Sequence, residues 1–312
     1  MTRVWLLTGF ILILAGLYMQ DESCRKTSSD PNRFSMVDQR ESLYGWVRVI
    51  DNPDRNMRLL SSDASVIGAA TLSSGENLLA YQQIVELIPR IHQGIHRALI
   101  VGQGAGHMAL NLKNAYGIVT DTIEIDPAVD RFARRYFGFS STGDAYIGDG
   151  RYLIRKLQNH YDLIIHDCFT GGAEPAHLLT VEALAELSRL LTDQGILALN
   201  FVGLSTPGRN GALASVSKTF RQVFPVHEIY ASEPGNEFND FIFLGATRPL
   251  RDGGKGRTND EEWLSQRRYH LDDRTGYLLT DDYNPIESLQ LTKSETYRRL
   301  VRDWLGFDLM MR

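Results

Sequence analysis

The chain has 312 residues, of which 43% are hydrophobic and 23% charged, a composition typical of a globular protein with one large domain or two smaller ones. Its net charge of −5 argues against a nucleic-acid-binding protein, for which a basic surface is typical. The two cysteines, Cys24 and Cys168, are too few for a disulfide framework and lack the spacing of a metal site. We therefore expect neither a metal nor a nucleic-acid partner.

The N-terminus carries an uncharged, strongly apolar run, residues 4–19, that follows Arg3. The run is short for a membrane-spanning helix but has the length and the basic start of a signal-peptide core. No clear cleavage site follows it, so residues 1–20 are predicted to form a signal anchor or membrane-associating helix, with a cleaved signal peptide as the alternative. The polar residues 21–42 predict a linker. This predicts membrane association, with the folded part on the cytoplasmic side.

A small β-domain is predicted over residues 43–75. It contains three short β-like runs, at 45–52, 57–62 and 64–72, separated by Asp, Asn, Pro and Ser. Such spacing favours an antiparallel sheet. Residues 76–91 then place apolar side chains at helical spacing and predict a helix.

From residue 98 onward, apolar β runs alternate with amphipathic helical stretches. Strand–helix alternation with continuous apolar strands predicts an α/β fold, in which helices cover both faces of a parallel sheet. The runs 226–231 and 240–247 predict a final antiparallel pair, and 250–275 a long polar excursion. The other predicted strands are 98–102, 120–125, 145–148, 161–167 and 195–202, and the predicted helices lie near 106–116, 127–137, 150–158 and 180–192.

Three successive strand ends carry residues suited to a nucleoside. The first ends in a G-x-G-x-G loop, Gly102, Gly104 and Gly106, where the backbone can approach a ligand and the next helix offers free N–H groups. Glu124, 18 residues after Gly106, can accept hydrogen bonds from ribose hydroxyls. Asp149 can accept one from an exocyclic amine such as that of adenine. Because ligands bind at the carboxyl ends of strands in open α/β sheets, the sequence predicts a nucleoside site there.

NAD is the rival ligand for such a loop. Dinucleotide sites favour a small residue after the glycines, and this chain has His107 there. The acid after the third strand also suits an adenosyl sulfonium ligand better, so we favour the latter.

Asp167 ends the fourth predicted strand of this sheet. A carboxylate at the end of a buried strand either caps a loop by accepting backbone N–H bonds or acts on a ligand. Its register with the nucleoside-site residues favours a function.

The block 98–202 resembles the spermidine/spermine synthase family, the polyamine aminopropyltransferases, in a divergent spermidine synthase-like branch. The matching segments are "LIVGQGAG", "IEIDP", "GDGRYLI" and "YDLIIHDCF". The resemblance covers roughly residues 45–290 and implies a Rossmann-like S-adenosylmethionine-dependent methyltransferase fold over residues 76–300, preceded by the small antiparallel β-domain.

The resemblance also implies roles for individual residues. Asp167 would be the catalytic residue, which orients and deprotonates an attacking amine. The implied cofactor-binding residues are Gly102, Gln103, Gly104, Gly106, Glu124, Ile125, Asp149 and Gly150. The implied substrate-binding residues are Tyr81, Gln82, Thr170 and Asp282.

Two positions depart from the family pattern. The glycine loop has Ala105 where an acid would hold the aminopropyl tail, and Thr170 stands where a second acid would follow Asp167. Asp281 and Asp282 could replace these acids or could be turn residues before Pro285.

The sequence therefore predicts a transferase that moves an aminopropyl group from decarboxylated S-adenosylmethionine to a polyamine such as putrescine. The alternatives are a small-molecule methyltransferase that uses S-adenosylmethionine and a non-catalytic nucleoside-binding module. The expected partner is a small-molecule amine, and a homodimer is left open.

Overall fold

Two β-sheets organise the chain. The structure is a computed structural model and describes residues 34–169, 172–246, 258–306 and Leu309. A four-stranded antiparallel sheet comes first, and a seven-stranded, mainly parallel sheet follows it. The predicted α/β fold with an N-terminal antiparallel sheet is confirmed.

The N-terminal sheet consists of β1 (Ser35–Ser42), β2 (Gly45–Asn52), β3 (Met57–Ser62) and β4 (Ser65–Thr71), in that spatial order. The last three strands coincide with predicted runs to within one residue. The first corrects the predicted linker, because residues 35–42 pair with β2 along their whole length. This strand lies at the edge of the sheet and has no buried residue, so its polar sequence carries no hydrophobic signal.

The rest of the described chain alternates helices and strands. The helices are α1 (Tyr81–Ile91), α2 (His107–Tyr116), α3 (Pro127–Tyr136), α4 (Gly150–Lys156), α5 (Val181–Arg189), α6 (Gly211–Val223), α7 (Asn259–Ser265) and α8 (Ile286–Leu305). The strands are β5 (Arg97–Val101), β6 (Val119–Glu124), β7 (Ala145–Ile147), β8 (Tyr161–His166), β9 (Leu191–Leu204), β10 (Val226–Ala231) and β11 (Phe238–Ala246).

The strand order of the second sheet is β10-β11-β9-β8-β5-β6-β7. Strands β5 to β9 are parallel, and β10 and β11 add an antiparallel edge. The chain moves outward from β5 through β6 to β7, then returns to the other side of β5 for β8. The carboxyl ends of β5 and β8 therefore flank the point where the strand order reverses, which is where open α/β sheets bind ligands.

Both faces of the large sheet are covered. Leu99 and Val101 of β5 pack with side chains of α4, α5 and α6, whereas Ala98 and Ile100 pack with α1 and α2. This alternation follows from the two-residue period of a strand.

The long helix α8, which the sequence did not predict, closes the N-terminal sheet on one face. Tyr297, Val301 and Leu305 pack there with Ile50 and Leu59. Charged residues occur along the whole helix, and its buried stripe is narrow, so helical periodicity is weak in the sequence. The opposite face of the sheet packs against α3.

The predicted membrane attachment needs correction. The apolar run at residues 4–19, on which it was based, lies outside the described residues. Within the ranges that the structure covers, no helix combines the length and the apolar character needed to cross a membrane. We therefore withdraw the membrane-associated localisation.

Candidate active site

A cavity opens at the carboxyl ends of β5, β6 and β8, and β4 of the N-terminal sheet forms part of its wall. Gly102 and Asp167, which follow β5 and β8, are in direct backbone contact. Gly102 has a φ of +94°, and a Cβ atom there would lie 2.1 Å from the carbonyl oxygen of Asp167. Only glycine fits this position, so the glycine loop and the carboxylate lie side by side.

Glu124 lies across from the glycine loop, at the end of β6. Its Oε2 accepts a hydrogen bond from the Gly104 N–H at 3.2 Å, and its Oε1 accepts one from the Asp126 N–H at 3.0 Å. Burial raises the pKa of this carboxyl to about 7, and backbone N–H donors, including these two, only partly oppose the shift. Glu124 is thus a buried acceptor that would gain from further donors, such as ribose hydroxyls.

Asp149 caps the N-terminus of α4. Its Oδ1 accepts the Tyr152 N–H at 2.7 Å. Its Oδ2 lies 3.6 Å from Nε2 of His177 at the border of the cavity. One carboxylate oxygen therefore holds the helix, and the other faces the site.

The N-terminal sheet packs directly against the glycine loop. A Cβ atom at Gly68 in β4 would lie 2.4 Å from the Cβ of Ala105, and one at Gly104 would lie 2.6 Å from the Ile67 carbonyl oxygen. Ala105 itself is buried in an apolar cluster with side chains of β2, β3 and α3. An acid at position 105 would have to enter this cluster, so the departure from the family pattern agrees with the packing.

Asp167 is held from two sides. Its Oδ2 accepts the Tyr81 hydroxyl at 2.6 Å, and its Oδ1 accepts the Asn200 amide at 2.9 Å. Gln82 in turn donates to the Tyr81 hydroxyl at 3.2 Å. Burial raises the pKa of Asp167, and the Tyr81 and Asn200 donors partly oppose this shift. Burial and the neighbouring carboxylate raise the pKa of Tyr81 well above its ordinary value, so it stays a donor.

Asp240 is a second acid beside Asp167, and the sequence analysis did not single it out. It lies in β11 opposite Val202 of β9, two residues from Asn200 on the same face. Burial, followed by the charge of Asp167, raises its pKa to about 7. An Asp and an Asn within otherwise apolar strands were the available signal, but only the antiparallel register brings them together.

The cavity is strongly acidic. Six carboxylates line it, and no Lys or Arg side chain among the described residues does. Two buried amide oxygens, Gln82 Oε1 and Asn200 Oδ1, also have no hydrogen-bond donor among the residues that the structure describes. Buried polar atoms are normally paired, so these two oxygens indicate a ligand with N–H or O–H groups. The six carboxylates belong to Glu124, Asp126, Asp149, Asp167, Glu233 and Asp240.

Most of the residues predicted to bind a ligand border this cavity. They are Tyr81, Gln82, Gly102, Gln103, Gly104, Glu124, Ile125, Asp149, Gly150 and Asp167. Gly106 differs: it caps α2 in the left-handed conformation and packs beneath Phe139. Thr170 lies outside the described residues.

Asp282 does not border the cavity either, which corrects its predicted place in the substrate site. Its neighbour Asp281 makes a bidentate ion pair with Arg151, with both distances 2.7 Å, and accepts the Thr180 hydroxyl. This pairing holds the segment against α4 and α5.

The chain has relatives among known proteins. Residues 78–233, half of the chain, match the model of the spermine/spermidine synthase domain. An N-terminal histidine N-methyltransferase of Emericella nidulans is 30% identical over an alignment of 241 residues that covers 68% of this chain and 42% of that protein. A probable polyamine aminopropyl transferase of Bifidobacterium longum is 25% identical over an alignment of 306 residues that covers 87% of this chain and 68% of that protein. The chain thus spans less than half the length of the first relative.

Among solved structures, a probable spermidine synthase from Corynebacterium glutamicum shares the fold, with a TM-score of 0.61 and 18% identity. The match covers 83% of this chain and 93% of that one. Both relatives named above are transferases by their descriptions. On the match to the family model, the chain belongs to the spermine/spermidine synthase domain family of transferases.

Proposed function

We propose that this protein transfers an aminopropyl group from decarboxylated S-adenosylmethionine to a small polyamine, with putrescine as the first candidate acceptor. The acidic cavity carries this proposal, because both the sulfonium donor and a polyamine are cations at neutral pH. A site with six carboxylates and no Lys or Arg among the described lining residues favours such ligands over anionic ones.

The donor's nucleoside is assigned to the glycine loop and the acids beside it. Glu124 would accept the ribose hydroxyls, which add donors to the backbone N–H groups that this buried carboxylate already accepts. The Oδ2 of Asp149 would accept the adenine amine while Oδ1 keeps its helix cap. These assignments place the sulfonium near Gly102, next to Asp167.

The acceptor is assigned to the side of the cavity formed by Tyr81, Gln82, Asp167 and Asn200. Asp167 would bind the attacking nitrogen and aim it at the carbon beside the sulfonium. The hydroxyl of Tyr81 and the amide of Asn200 fix the orientation of this carboxylate.

The reaction is a displacement at carbon. The acceptor ammonium loses a proton. The nitrogen lone pair then attacks the aminopropyl group at its methylene carbon next to sulfur. The carbon–sulfur bond breaks with its electron pair going to sulfur, so the products are methylthioadenosine and the extended amine.

The test is to incubate the full chain with decarboxylated S-adenosylmethionine and putrescine and to identify the product by mass spectrometry. We expect spermidine, and a loss of about 10²- to 10⁴-fold in the rate for Asp167→Asn. The exposed Asp272, which pairs with Arg274, supplies the control Asp272→Asn, which should retain full activity. Failure of the wild-type protein to bind methylthioadenosine would refute the proposal.

Methyl transfer from S-adenosylmethionine is the second candidate, and Ala105 favours it. Ala105 has no carboxylate that would bind the ammonium of an aminopropyl group. For the same reason, it does not repel the carboxylate that S-adenosylmethionine carries. The Emericella nidulans relative is described as a methyltransferase. Methyl transfer uses the same displacement at another carbon of the sulfonium.

A parallel incubation with S-adenosylmethionine separates the two candidates. A methylated amine, formed without any aminopropylated product, would establish methyl transfer. If the nucleoside binds but neither donor reacts with a panel of amines, the chain is a nucleoside-binding module.

A further inference from the structure

The geometry points to Asp240 as the partner of Asp167 in the acceptor site: the acceptor's ammonium binds between the two carboxylates, and Asp240 takes its proton. This inference rests on the proposed transfer to an amine. It fits either donor, because both reactions need an uncharged nitrogen.

The sheet register places the two acids on one surface. Asp240 is opposite Val202 across the β9–β11 ladder, and Asn200 lies two residues from Val202 on the same face. Asn200 donates to Asp167, whose backbone follows β8, the other neighbour of β9. Asp240 and Asp167 thus lie on either side of Asn200, and all three side chains border the cavity.

The two carboxylates differ in the hydrogen bonds that their oxygens already accept. Both oxygens of Asp167 accept hydrogen bonds, from Tyr81 at 2.6 Å and from Asn200 at 2.9 Å. These two donors fix the orientation of the Asp167 carboxylate and partly oppose the effect of burial, which raises its pKa. Among the described residues, no side chain other than the Asn200 amide, which Asp167 also uses, donates to Asp240, so Asp240 has more capacity to receive a proton.

The surroundings of Asp240 favour the protonated, uncharged form of its carboxyl group in the free protein. Burial and the charges of Asp167 and Glu174 raise its pKa, whereas Asn200 and Lys293 of α8 lower it. Two phenols also face it, Tyr81 from α1 and Tyr297 from α8, and both stay protonated because burial raises their pKa values. A bound ammonium would favour the ionised form and displace the proton of Asp240.

Asp240 then accounts for the proton that the acceptor ammonium loses in each turnover. The acceptor enters as an ammonium and transfers one N–H proton to the ionised Asp240, which becomes a carboxylic acid. The free nitrogen attacks the carbon, the carbon–sulfur bond breaks, and the sulfur keeps the electron pair. Asp240 keeps this proton when the products leave, which restores the protonated free protein, so the one proton that turnover yields is the one released to solvent when the amine binds.

The experiment is calorimetric titration of putrescine into the full chain saturated with methylthioadenosine, in two buffers that differ in ionisation enthalpy. At about pH 6, below the pKa of about 7, we expect release of close to one proton per amine bound. Asp240→Asn should abolish this release and lower kcat/KM by about 10²- to 10³-fold. Asp240→Glu should restore part of both.

Glu237→Gln is the matched control, because Glu237 lies on the same hairpin but pairs at the surface with Arg209. It should behave as the wild type, and unchanged thermal melting and methylthioadenosine affinity would show that Asp240→Asn folds. Proton release that is absent in the wild type, or unchanged in Asp240→Asn, overturns the inference and leaves the proposed function standing. Loss of methylthioadenosine binding by the wild type would instead overturn the proposed function.

Discussion

The hydroxyl of Tyr81 donates to Oδ2 of Asp167 at 2.6 Å, although the two residues are 86 positions apart. Tyr81 begins α1, which precedes the large sheet, and Asp167 follows β8 near its centre. The contact therefore joins the start of the α/β domain to the point where its strand order reverses. It fixes the carboxylate that we assign to the acceptor amine.

We expect Tyr81→Phe to weaken catalysis by shifting the pKa of Asp167. The hydroxyl stabilises the ionised carboxylate, so its removal raises this pKa further, and activity should fall off at a higher pH than in the wild type. A hydrogen bond to a charged group contributes about 1.5–3 kcal/mol, which predicts a loss of about 10- to 100-fold in kcat/KM. The measurement is the pH dependence of kcat/KM.

Tyr116→Phe is the control for that variant, because the Tyr116 hydroxyl donates to the Glu86 carbonyl away from the cavity. It should leave the pH profile unchanged. An unshifted profile for Tyr81→Phe would contradict the role given to this hydroxyl.

Nucleoside binding should depend on the ionisation of Glu124. Its pKa is about 7 in the free protein, and ribose hydroxyls donate best to the ionised form. Affinity for methylthioadenosine should therefore rise as the pH increases from about 6 to about 8, by up to about tenfold. Glu124→Gln should bind more weakly and lose this dependence, whereas Glu86→Gln, at a half-buried acid outside this cavity, should keep it. A pH-independent wild-type affinity would contradict this assignment.

Asp240 should destabilise the folded protein at high pH. Its pKa rises from 3.8 to about 7 on folding, so the folded state holds a proton that the unfolded state has lost between these values. Stability consequently falls as the pH rises through this window and levels off above pH 7. Asp240→Asn should be more stable than the wild type at pH 8, by about 2–4 kcal/mol, and equal to it near pH 3. Chemical denaturation at both pH values tests this, and an equal difference at both would be inconsistent with it.

The buried pair of Glu174 and Lys293 should be essential for stability. The atoms Nζ and Oε2 are 2.9 Å apart, and the two side chains are only 1% and 4% exposed. Lys293→Met leaves an unpaired buried carboxylate and should lower the free energy of unfolding by about 3–5 kcal/mol. Adding Glu174→Gln should recover part of this loss.

The exposed pair of Arg209 and Glu237 gives the comparison for that prediction. Arg209→Ala should change the free energy of unfolding by less than about 1 kcal/mol in the same urea titration. Equal effects of Lys293→Met and Arg209→Ala on the free energy of unfolding would contradict the prediction that burial makes the Glu174–Lys293 pair more important for stability.

Gly68→Ala should displace the glycine loop. The added Cβ would lie 2.4 Å from the Cβ of Ala105, a distance that real contacts do not allow. Because Gly68 and Ala105 are both buried, the glycine loop must shift, and affinity for methylthioadenosine should drop at least about tenfold. Gly211→Ala, where the nearest atom is 3.7 Å away, should bind normally. Normal binding by Gly68→Ala would mean that the sheet can yield without moving the loop.

The α/β fold was predictable because its signals are local. The continuous apolar strands β5, β8 and β9 and the amphipathic helices between them have clear periods in the sequence. The edge strand β1 and the helix α8 were missed, since one has no buried residue and the other has a narrow buried stripe among charges. Their places depend on pairing and packing with distant segments.

The candidate site divides in the same way. The sequence alone determined the glycine loop, Glu124, Asp149 and Asp167, because each follows a recognisable strand and parallel strands end at one edge of the sheet. Only the tertiary structure decided that Asp240 joins Asp167 and that Asp281 turns away to Arg151. A strand register and an ion pair across 130 residues leave no local trace, so no pattern in the sequence could have specified which acids meet.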